Sequence, residues 1–297
     1  MKKILVTGAT GNIGYQVIRY LFEWNTQNRI IAGVRNIEKG KDSLSHIGKL
    51  EFREFDFENP ATFDSALEGV DRVFLLRPPH ISNIKKHFRP LIAKLKEKSI
   101  HEVVFLSVQG AERSRVIPHH KIERLINVFN LDYIFLRPSY FMQNLTTTLI
   151  NEIQKKQKII LPAGKAKFNW IDANNIGVAA AILLEKFEMY KNQAYELTGY
   201  ENEDFYTVTR LINQTLDTDI QYESVNPIRF YRIKRKDWLP KGKILVMLML
   251  HFLPRFQREP HISGFYEQLT GKKPTRLKAF IERERDTFSK LKGWYRG

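Results

Sequence analysis

The chain has 297 residues, of which 43% are hydrophobic, and it contains no cysteine. This hydrophobic fraction is enough for a sizeable core and argues against a disordered chain. Without cysteine the chain cannot form disulfide scaffolds, thiolate nucleophiles, thiolate zinc sites or cysteine-bound iron–sulfur clusters. Histidine, aspartate and glutamate do not recur at metal-ligand spacing, so we expect no metal site.

The formal charge of +16 is unevenly distributed along the chain. From Asn226 onward there are 18 Lys and Arg against 6 Asp and Glu. Such a region could meet nucleic acid, anionic lipid or an acidic partner, although a solvated basic surface is the simplest interpretation. The sequence lacks the basic motifs interleaved with aromatic residues that nucleic-acid-binding modules carry, so we do not expect nucleic acid as a partner.

The N-terminal sequence MKKILVTGATG is not typical of a signal peptide, because glycines interrupt its apolar stretch. We therefore expect a cytoplasmic protein. The longest apolar run begins at Ile244 and ends near Leu253. That is about half the length of a spanning helix, which needs roughly 20 residues, so we expect no membrane span.

The first half of the chain alternates short apolar runs with helical patterns. Six apolar runs predict strands: Lys3–Val6, Arg29–Val34, Leu50–Phe57, Arg72–Leu76, Glu102–Leu106 and Asp132–Leu136. The helical patterns between them run from Ile13 to Leu21, from a start at Asn59-Pro60, from about His80 to Lys98, and from His119 to Phe129. Parallel strands need such crossovers, so the alternation predicts an α/β fold with a doubly wound parallel sheet.

A glycine-rich loop joins the first predicted strand to the first helix. Its spacing, G-x-x-G-x-x-G, gives a tight turn, a backbone that a pyrophosphate can approach, and close packing of the helix on the sheet. The free N–H groups of the helix N-terminus then face the anion. The predicted phosphate-binding residues are Gly8, Thr10, Gly11, Asn12, Ile13 and Gly14.

The end of the second predicted strand favours NADP(H) over NAD(H). An Asp or Glu there would bind the ribose hydroxyls of NAD. This chain has Arg35 at that point and Lys39 nearby, with no acidic residue before Glu38. The planar fork of an arginine suits a 2′-phosphate, although Arg35 could also be one surface cation among many.

The pattern is looser after Pro138. It predicts a helix over Asp172–Met189, a strand over Ala194–Thr198, a helix over Tyr206–Leu216 and a mainly helical remainder. We expect residues 1–150 to form the NAD(P)-binding Rossmann domain. Residues 151–297 are expected to form a smaller, mostly helical substrate or lid region packed on the first, with segments able to return to the main sheet. The pocket is expected between the two parts, at the carboxyl edge of the sheet.

Several motifs resemble the NmrA-like branch of the atypical short-chain dehydrogenases/reductases. They are GATGNIG, the VR after the second strand, FDFENPATFDSALEGVDRVFLL, HHKIERLINVFNLDYIFLRPSYFMQN, WIDANNIGVAAAILL and YEQLTGKKPTRLKAFIERERDTF. The resemblance covers nearly the whole chain and implies an NADP-binding Rossmann fold. The branch includes quinone reductases, imine or ene reductases, and proteins that bind NADP and sense redox state without turnover.

The resemblance also implies roles for residues at strand ends. It places Asp56 and Phe57 beside the adenine ring, although Asp56 could equally form a turn. It places Ser107 near the nicotinamide ribose, although a serine that ends a strand is common without function. The residues that end the fourth strand face the ligand crevice or belong to the core: Leu75, Leu76 and Arg77.

Lys121 resembles the lysine of the Tyr-x-x-x-Lys motif, which holds the nicotinamide ribose. The position four before it is Ile117, so the proton-donating tyrosine is missing. His119 or His120 could act as a general acid instead. Tyr140 could stack on the cofactor or donate a proton from its hydroxyl. The predicted catalytic residues are therefore Lys121, Tyr140 and His120.

These observations support an enzyme in which NADPH delivers hydride to a quinone, an imine or a conjugated carbonyl. A quinone needs little help from a protein acid, because water can protonate the stabilised phenolate. We therefore expect a small apolar acceptor as the partner. The alternative is an NADP(H)-binding, redox-sensing protein without turnover, which the missing tyrosine and the basic region favour.

A basic segment precedes the long apolar run. Residues 229–243 carry seven Lys and Arg, and the Met-rich sequence Leu245–Leu250 follows. Such a pair could contact an anionic membrane or close as a lid over an apolar substrate. The simplest interpretation is an ordinary buried helix beside a solvated basic loop.

Overall fold

The computed structural model describes residues 1–115 and 117–289. Its strands are β1 (Lys3–Thr7), β2 (Arg29–Val34), β3 (Glu51–Glu54), β4 (Arg72–Leu76), β5 (Glu102–Leu106), β6 (Asp132–Pro138), β7 (Tyr140–Phe141), β8 (Lys158–Leu161), β9 (Phe168–Ile171), β10 (Gln193–Leu197), β11 (Asn202–Glu203) and β12 (Gln221–Ser224).

Its helices are α1 (Asn12–Glu23), α2 (Ile37–Leu44), α3 (Phe63–Ala66), α4 (Ile84–Glu97), α5 (Pro118–Val128), α6 (Ile150–Lys156), α7 (Ala173–Glu185), α8 (Phe187–Tyr190), α9 (Phe205–Leu216), α10 (Pro227–Lys236), α11 (Lys241–Phe252), α12 (Phe265–Thr270), α13 (Leu277–Arg283) and α14 (Arg285–Ser289). The chain divides into two compact units. The first comprises residues 1–138, 173–197 and 265–272, and the second comprises residues 139–172, 198–264 and those from 273 onward.

The first unit is built on a parallel sheet of seven strands in the order β3-β2-β1-β4-β5-β6-β10. The first six follow the 3-2-1-4-5-6 order of a Rossmann fold, so the predicted doubly wound sheet is confirmed. The central strands β1, β4 and β5 are nearly continuous apolar runs because helices cover both faces of the sheet, whereas the edge strands β3 and β10 carry charged and polar residues. The seventh strand comes from residues 193–197, far along the chain.

Helices on one face of this sheet share a core with the strands. Side chains from α3, α4 and α5 pack with alternate residues of the strands in one cluster, which includes Phe63, Phe88, Ile122, Leu5 and Val73. On α1, the residues of one helical stripe are fully buried, as the spacing of Val17, Ile18 and Leu21 predicts. This helix packs against α7 within the same unit.

Several predicted element boundaries were wrong. The third strand ends at Glu54 rather than Phe57, because the chain turns at Asp56. The helix expected from about His80 begins at Ile84, where Asn83 caps it by accepting from the N–H of Lys86 at 3.0 Å. The predicted helix over 172–189 is two helices, α7 and α8, and α2 was not predicted.

The second unit contains short strands that the sequence pattern did not predict. Strands β11, β9 and β7 form one small sheet, and β12 pairs with β8 in parallel. Each has two to four residues, too few to show an alternating pattern. Its core is a separate cluster of buried residues centred on Trp170 and Phe205. A buried ion pair joins α10 to α6, with Lys234 Nζ 2.7 Å from Glu152 Oε2.

No helix within residues 1–115 and 117–289 combines the length and hydropathy needed to cross a membrane.

Candidate functional site

The turn between β1 and α1 leaves little room for side chains at Gly8 and Gly14. Gly8 has φ +61°, a conformation that favours glycine, and an added Cβ there would lie 2.9 Å from Leu76 Cδ1. The N–H of Gly11 donates to the Gly8 carbonyl at 2.9 Å. A Cβ on Gly14 would lie 2.3 Å from the Gly8 carbonyl oxygen, which is impossible without moving the backbone. The helix therefore starts in direct backbone contact with the end of the strand.

The N-terminus of α1 is open to a ligand. Gly11 occupies the N-cap position, where no side chain accepts from the first-turn N–H groups, and the first turn has no acidic residue. Thr10, Gly11 and Asn12 are exposed, whereas Ile13 anchors the helix in the core. The first N–H groups of a helix have no partner inside it and carry partial positive charge. This arrangement can hold an anion such as a diphosphate.

Thr7 holds the base of this loop through hydrogen bonds, a role that was not predicted from the sequence. Its side chain is fully buried at the end of β1. Its Oγ1 donates to the Phe74 carbonyl at 3.0 Å and accepts from the N–H of Leu76 at 3.1 Å. It thus joins β1 to β4 where the strand order changes direction, the position at which Rossmann folds bind ligands. The predicted residue Leu76 is half-buried beneath Gly8, and Leu75 belongs to the core.

Arg35 and Lys39 follow β2 at the same sheet edge as the glycine turn. β2 pairs with β1 in parallel, with Gly33 opposite Thr7, so Arg35 lies two residues beyond the paired strand end. Asn36 caps α2 by accepting from the N–H of Lys39 at 2.9 Å. Both cationic side chains are exposed, and neither forms an ion pair with a residue that the structure describes. These charges are available to an anionic ligand.

Asp56 and Phe57 lie just beyond β3, and both are tied into local structure. Asp56 Oδ1 accepts from the N–H of Glu58 at 2.9 Å, and the N–H of Asp56 donates to Thr62 Oγ1 at 3.1 Å. The Phe57 ring is buried and stacks on Phe88 with centroids 5.1 Å apart. The carboxylate of Asp56 is half-buried and shapes a turn, and its contact with adenine stays a prediction.

Ser107, at the end of β5, belongs to a buried hydrogen-bond network. Its hydroxyl donates to Glu123 Oε1 at 2.6 Å, and only 2% of the residue is exposed. Arg137 holds both oxygens of the same carboxylate, at 3.0 and 2.7 Å. Burial alone would lower the pKa of Arg137, but its hydrogen bonds to Glu123 and the charges of nearby glutamates raise that pKa above its usual value. The role of Ser107 beside a ribose stays a prediction, and Glu123 was not foreseen.

Arg77 and His119 face each other beyond β4. Arg77 Nη1 donates to the carbonyls of Pro78, Pro79 and Ile81 at 3.1, 3.1 and 2.7 Å, and its Nε donates to His119 Nε2 at 3.4 Å. Burial lowers the pKa of Arg77. Burial, with the Arg77 charge as the second cause, lowers the pKa of His119 to about 3. His119 is therefore neutral near neutral pH, with Nε2 acting as an acceptor.

His120 and Lys121 lie in the first turn of α5. His120 Nδ1 lies 3.0 Å from the Ala111 carbonyl, which makes Nδ1 a hydrogen-bond donor. Lys121 is exposed and forms no ion pair with a described residue. Ile117 is the N-cap residue of this helix, so an aliphatic side chain stands where the resemblance would place tyrosine.

Tyr140 belongs to the second unit and lies in an aromatic cluster. Its hydroxyl is 2.9 Å from His251 Nε2, and its ring meets that of Trp170 edge-on with centroids 4.8 Å apart. His251 Nδ1 is 2.7 Å from the Met247 carbonyl, so Nδ1 donates and Nε2 accepts from Tyr140. Burial raises the pKa of Tyr140 and lowers that of His251 to about 4. Both groups are neutral near neutral pH, and His251 was not predicted.

The first unit is thus a dinucleotide-binding type of fold, with a glycine turn at the switch point of a parallel sheet. Residues 1–275 match the family model described as the NmrA-like family. The chain belongs to the NmrA-like family, which confirms the resemblance found in its motifs.

Known proteins similar to this chain include two sequence relatives and one solved structure. The chain is 30% identical to prestalk A differentiation protein A of Dictyostelium discoideum, over 98% of this chain and 94% of that protein. It is 30% identical to an NAD(P)H azoreductase of Xenophilus azovorans, over 66% of this chain and 68% of that protein. The NADPH-dependent quinone oxidoreductase of Escherichia coli, complexed with NADPH, has the same fold, with a TM-score of 0.82, 21% identity, and coverage of 94% of this chain and 99% of that chain.

The depressed pKa of His119 predicts a loss of stability in mild acid. Below its ordinary pKa of 6.5, the unfolded chain binds a proton at this histidine, whereas the folded chain does not until the pH approaches 3. The free energy of unfolding therefore falls as the pH is lowered through this window, by about 2 kcal/mol from His119 between about pH 7 and pH 5. His251 adds to the fall with the same sign.

Urea denaturation of the wild type and of His119→Gln across this pH range measures the effect. We expect the variant to show a shallower dependence of unfolding free energy on pH, since glutamine can still accept from Arg77. His101→Gln removes an exposed histidine and should leave the pH dependence as in the wild type. Identical pH dependence in all three proteins would contradict the assigned state of His119.

Proposed function

We propose that the chain is an NADPH-dependent oxidoreductase that passes hydride to a small apolar acceptor, a quinone, an imine or a conjugated carbonyl. The turn from Gly8 to Gly14 carries this proposal. An added Cβ at Gly8 or Gly14 would collide with Leu76 or with the Gly8 backbone, and the first N–H groups of α1 lack a side-chain cap. These features fit a dinucleotide diphosphate, with Thr10, Gly11, Asn12 and Ile13 supplying the binding surface.

Arg35 and Lys39 support the choice of NADPH over NADH. They are exposed cations just beyond the end of β2, and the residues between Val34 and Glu38 include no carboxylate that would favour NADH. A guanidinium can bind a phosphate through two parallel N–H donors. The azoreductase relative is named for NAD(P)H and the quinone oxidoreductase was solved with NADPH, which supports a nicotinamide nucleotide for this chain too.

The residues beyond β5 favour an acceptor that needs no protein acid. When bound, NADPH supplies the hydride, and the protein supplies binding and orientation. Lys121 would hold the nicotinamide ribose. Ile117 cannot donate a proton, and His119 is a neutral acceptor from Arg77, so neither side chain can serve as the protein acid. Water can protonate a reduced quinone, whereas a simple ketone needs a positioned acid.

Lys121 provides the first test of this function. We expect the wild type to oxidise NADPH with at least one quinone, imine or conjugated carbonyl, followed by the absorbance of the reduced nicotinamide. Lys121→Ala should lower kcat/KM for that acceptor by about tenfold or more, because charged hydrogen bonds are worth roughly 1.5–3 kcal/mol. Arg124→Ala removes another exposed cation of α5 and should leave kcat/KM unchanged.

The outcome that contradicts an enzyme is a wild type that binds NADPH and NADP⁺ equally but reduces none of the acceptors. A partner protein that binds only the nucleotide-loaded chain would then favour the redox-sensing alternative.

Arg35 tests the cofactor assignment separately. Arg35→Ala should weaken NADPH binding by about tenfold and leave NADH binding within about twofold, since only NADPH carries the 2′-phosphate. The measurement is calorimetric titration of each nucleotide. Arg89→Ala, which removes an exposed arginine of α4, is the matched control. If Arg35→Ala leaves the ratio of the two dissociation constants unchanged, the assignment to NADPH is wrong.

A further inference from the structure

Helix α11 has a buried face and an exposed apolar face. Ile244, Met247 and His251 recur at helical spacing and are at most 5% exposed. On the other side, the apolar residues with about half of their surface in solvent are Leu245 (54%), Val246 (59%), Met249 (51%) and Leu250 (45%). These positions also recur every three to four residues, so they form one continuous stripe. The simplest interpretation of the sequence, an ordinary buried helix, is wrong for the exposed face of α11.

Large exposed side chains also flank α11 along the chain. Trp238, in the turn between α10 and α11, is 91% exposed, and Phe256, just beyond α11, is 75% exposed. Leu253 lies between α11 and Phe256 and is 44% exposed. Together with the four residues of the stripe, these three define the α11 surface. An exposed apolar stripe flanked by further large exposed side chains marks a candidate binding surface.

Basic residues lie close to the α11 surface along the chain. Lys241 and Lys243 occupy the first turn of α11, one helical turn before Leu245 and Val246. Residues 229–258 contain nine Lys and Arg against a single acidic residue, Asp237. That aspartate is held by Lys156 at 2.9 Å.

Most of these cations are free to meet a ligand. Exposed residues that form no ion pair within the described part of the chain are Arg232, Lys236, Lys241, Lys243 and Arg258. The exposed apolar surface therefore lies in a strongly positive region. A partner that offers both negative charge and an apolar phase complements this surface.

We infer that the α11 surface binds the face of an anionic lipid bilayer. A helix with its apolar side in the acyl boundary and lysines at the headgroup level lies in the plane of the membrane, and exposed tryptophan favours that interface. A second copy of the chain fits less well, because docking like surfaces would bring these cations together. The inference concerns binding alone and does not depend on the proposed enzymatic function.

Vesicle co-sedimentation of the full chain tests this inference. We expect binding to vesicles of equal parts phosphatidylglycerol and phosphatidylcholine, much weaker binding to pure phosphatidylcholine, and release at high salt. Tryptophan emission should shift to the blue on binding, and Trp238→Phe should remove most of that shift while retaining binding.

Paired variants separate the apolar and charged contributions. Leu245→Gln/Met249→Gln should abolish sedimentation with anionic vesicles, whereas Met189→Gln, at a residue 74% exposed on α8, should not. Lys241→Gln/Lys243→Gln should weaken binding by about tenfold or more, at roughly 1 kcal/mol per charge. The matched pair Lys85→Gln/Lys86→Gln, exposed on α4, should bind as the wild type does.

Two outcomes would overturn the inference. One is a wild type that fails to sediment with anionic vesicles at low salt, or a Leu245→Gln/Met249→Gln variant that sediments with them as well as the wild type does. The other is analytical ultracentrifugation that shows a wild-type dimer which Leu245→Gln/Met249→Gln converts to a monomer, because a second copy would then cover the surface.

Discussion

The close approach of two backbone segments at the β1–α1 turn is the constraint on which the nucleotide site depends. A Cβ on Gly14 would lie 2.3 Å from the carbonyl oxygen of Gly8, so helix and strand meet with no side chain between them. This contact places the first turn of α1 at the edge of the sheet. No side chain caps the N–H groups of that turn. The uncapped N–H groups at the start of α1 carry partial positive charge and can bind an anion.

Other parts of the first unit hold that turn in position. Thr7 ties β1 to β4 below the loop. On the far side of α1, Gly177 of α7 allows a comparably close approach, since a Cβ there would lie 2.4 Å from Gln16 Cβ. Helix α7 comes from a segment more than 150 residues after α1 along the chain. Thr7 therefore fixes the loop to the sheet, and Gly177 lets α7 pack closely on α1.

The sequence predicted the fold and the nucleotide loop well because their signals are local. Apolar runs, a glycine spacing and a cap such as Asn59 before Pro60 are readable in a few residues. Partners that meet only in three dimensions were missed: Glu123 behind Ser107, Arg77 against His119, and His251 against Tyr140. The same limit explains β10, whose place in the sheet depends on pairing with β6. A helix at the apolar run from Ile244 was expected, but which face of it is exposed to solvent depends on its packing against distant parts of the chain.

The most direct test of the central claim is calorimetric titration of NADPH into the wild type and Asn12→Asp. This change keeps the shape of an exposed residue at the first position of α1 and adds a carboxylate that favours the helix N-terminus. We expect NADPH to bind the wild type, and to bind the variant at least about tenfold more weakly without a loss of its unfolding free energy. Asn83→Asp, which adds the same charge at the N-terminus of α4, should bind as the wild type does. A wild type that takes up no nicotinamide nucleotide, or an Asn12→Asp protein that binds NADPH as tightly, would contradict the account.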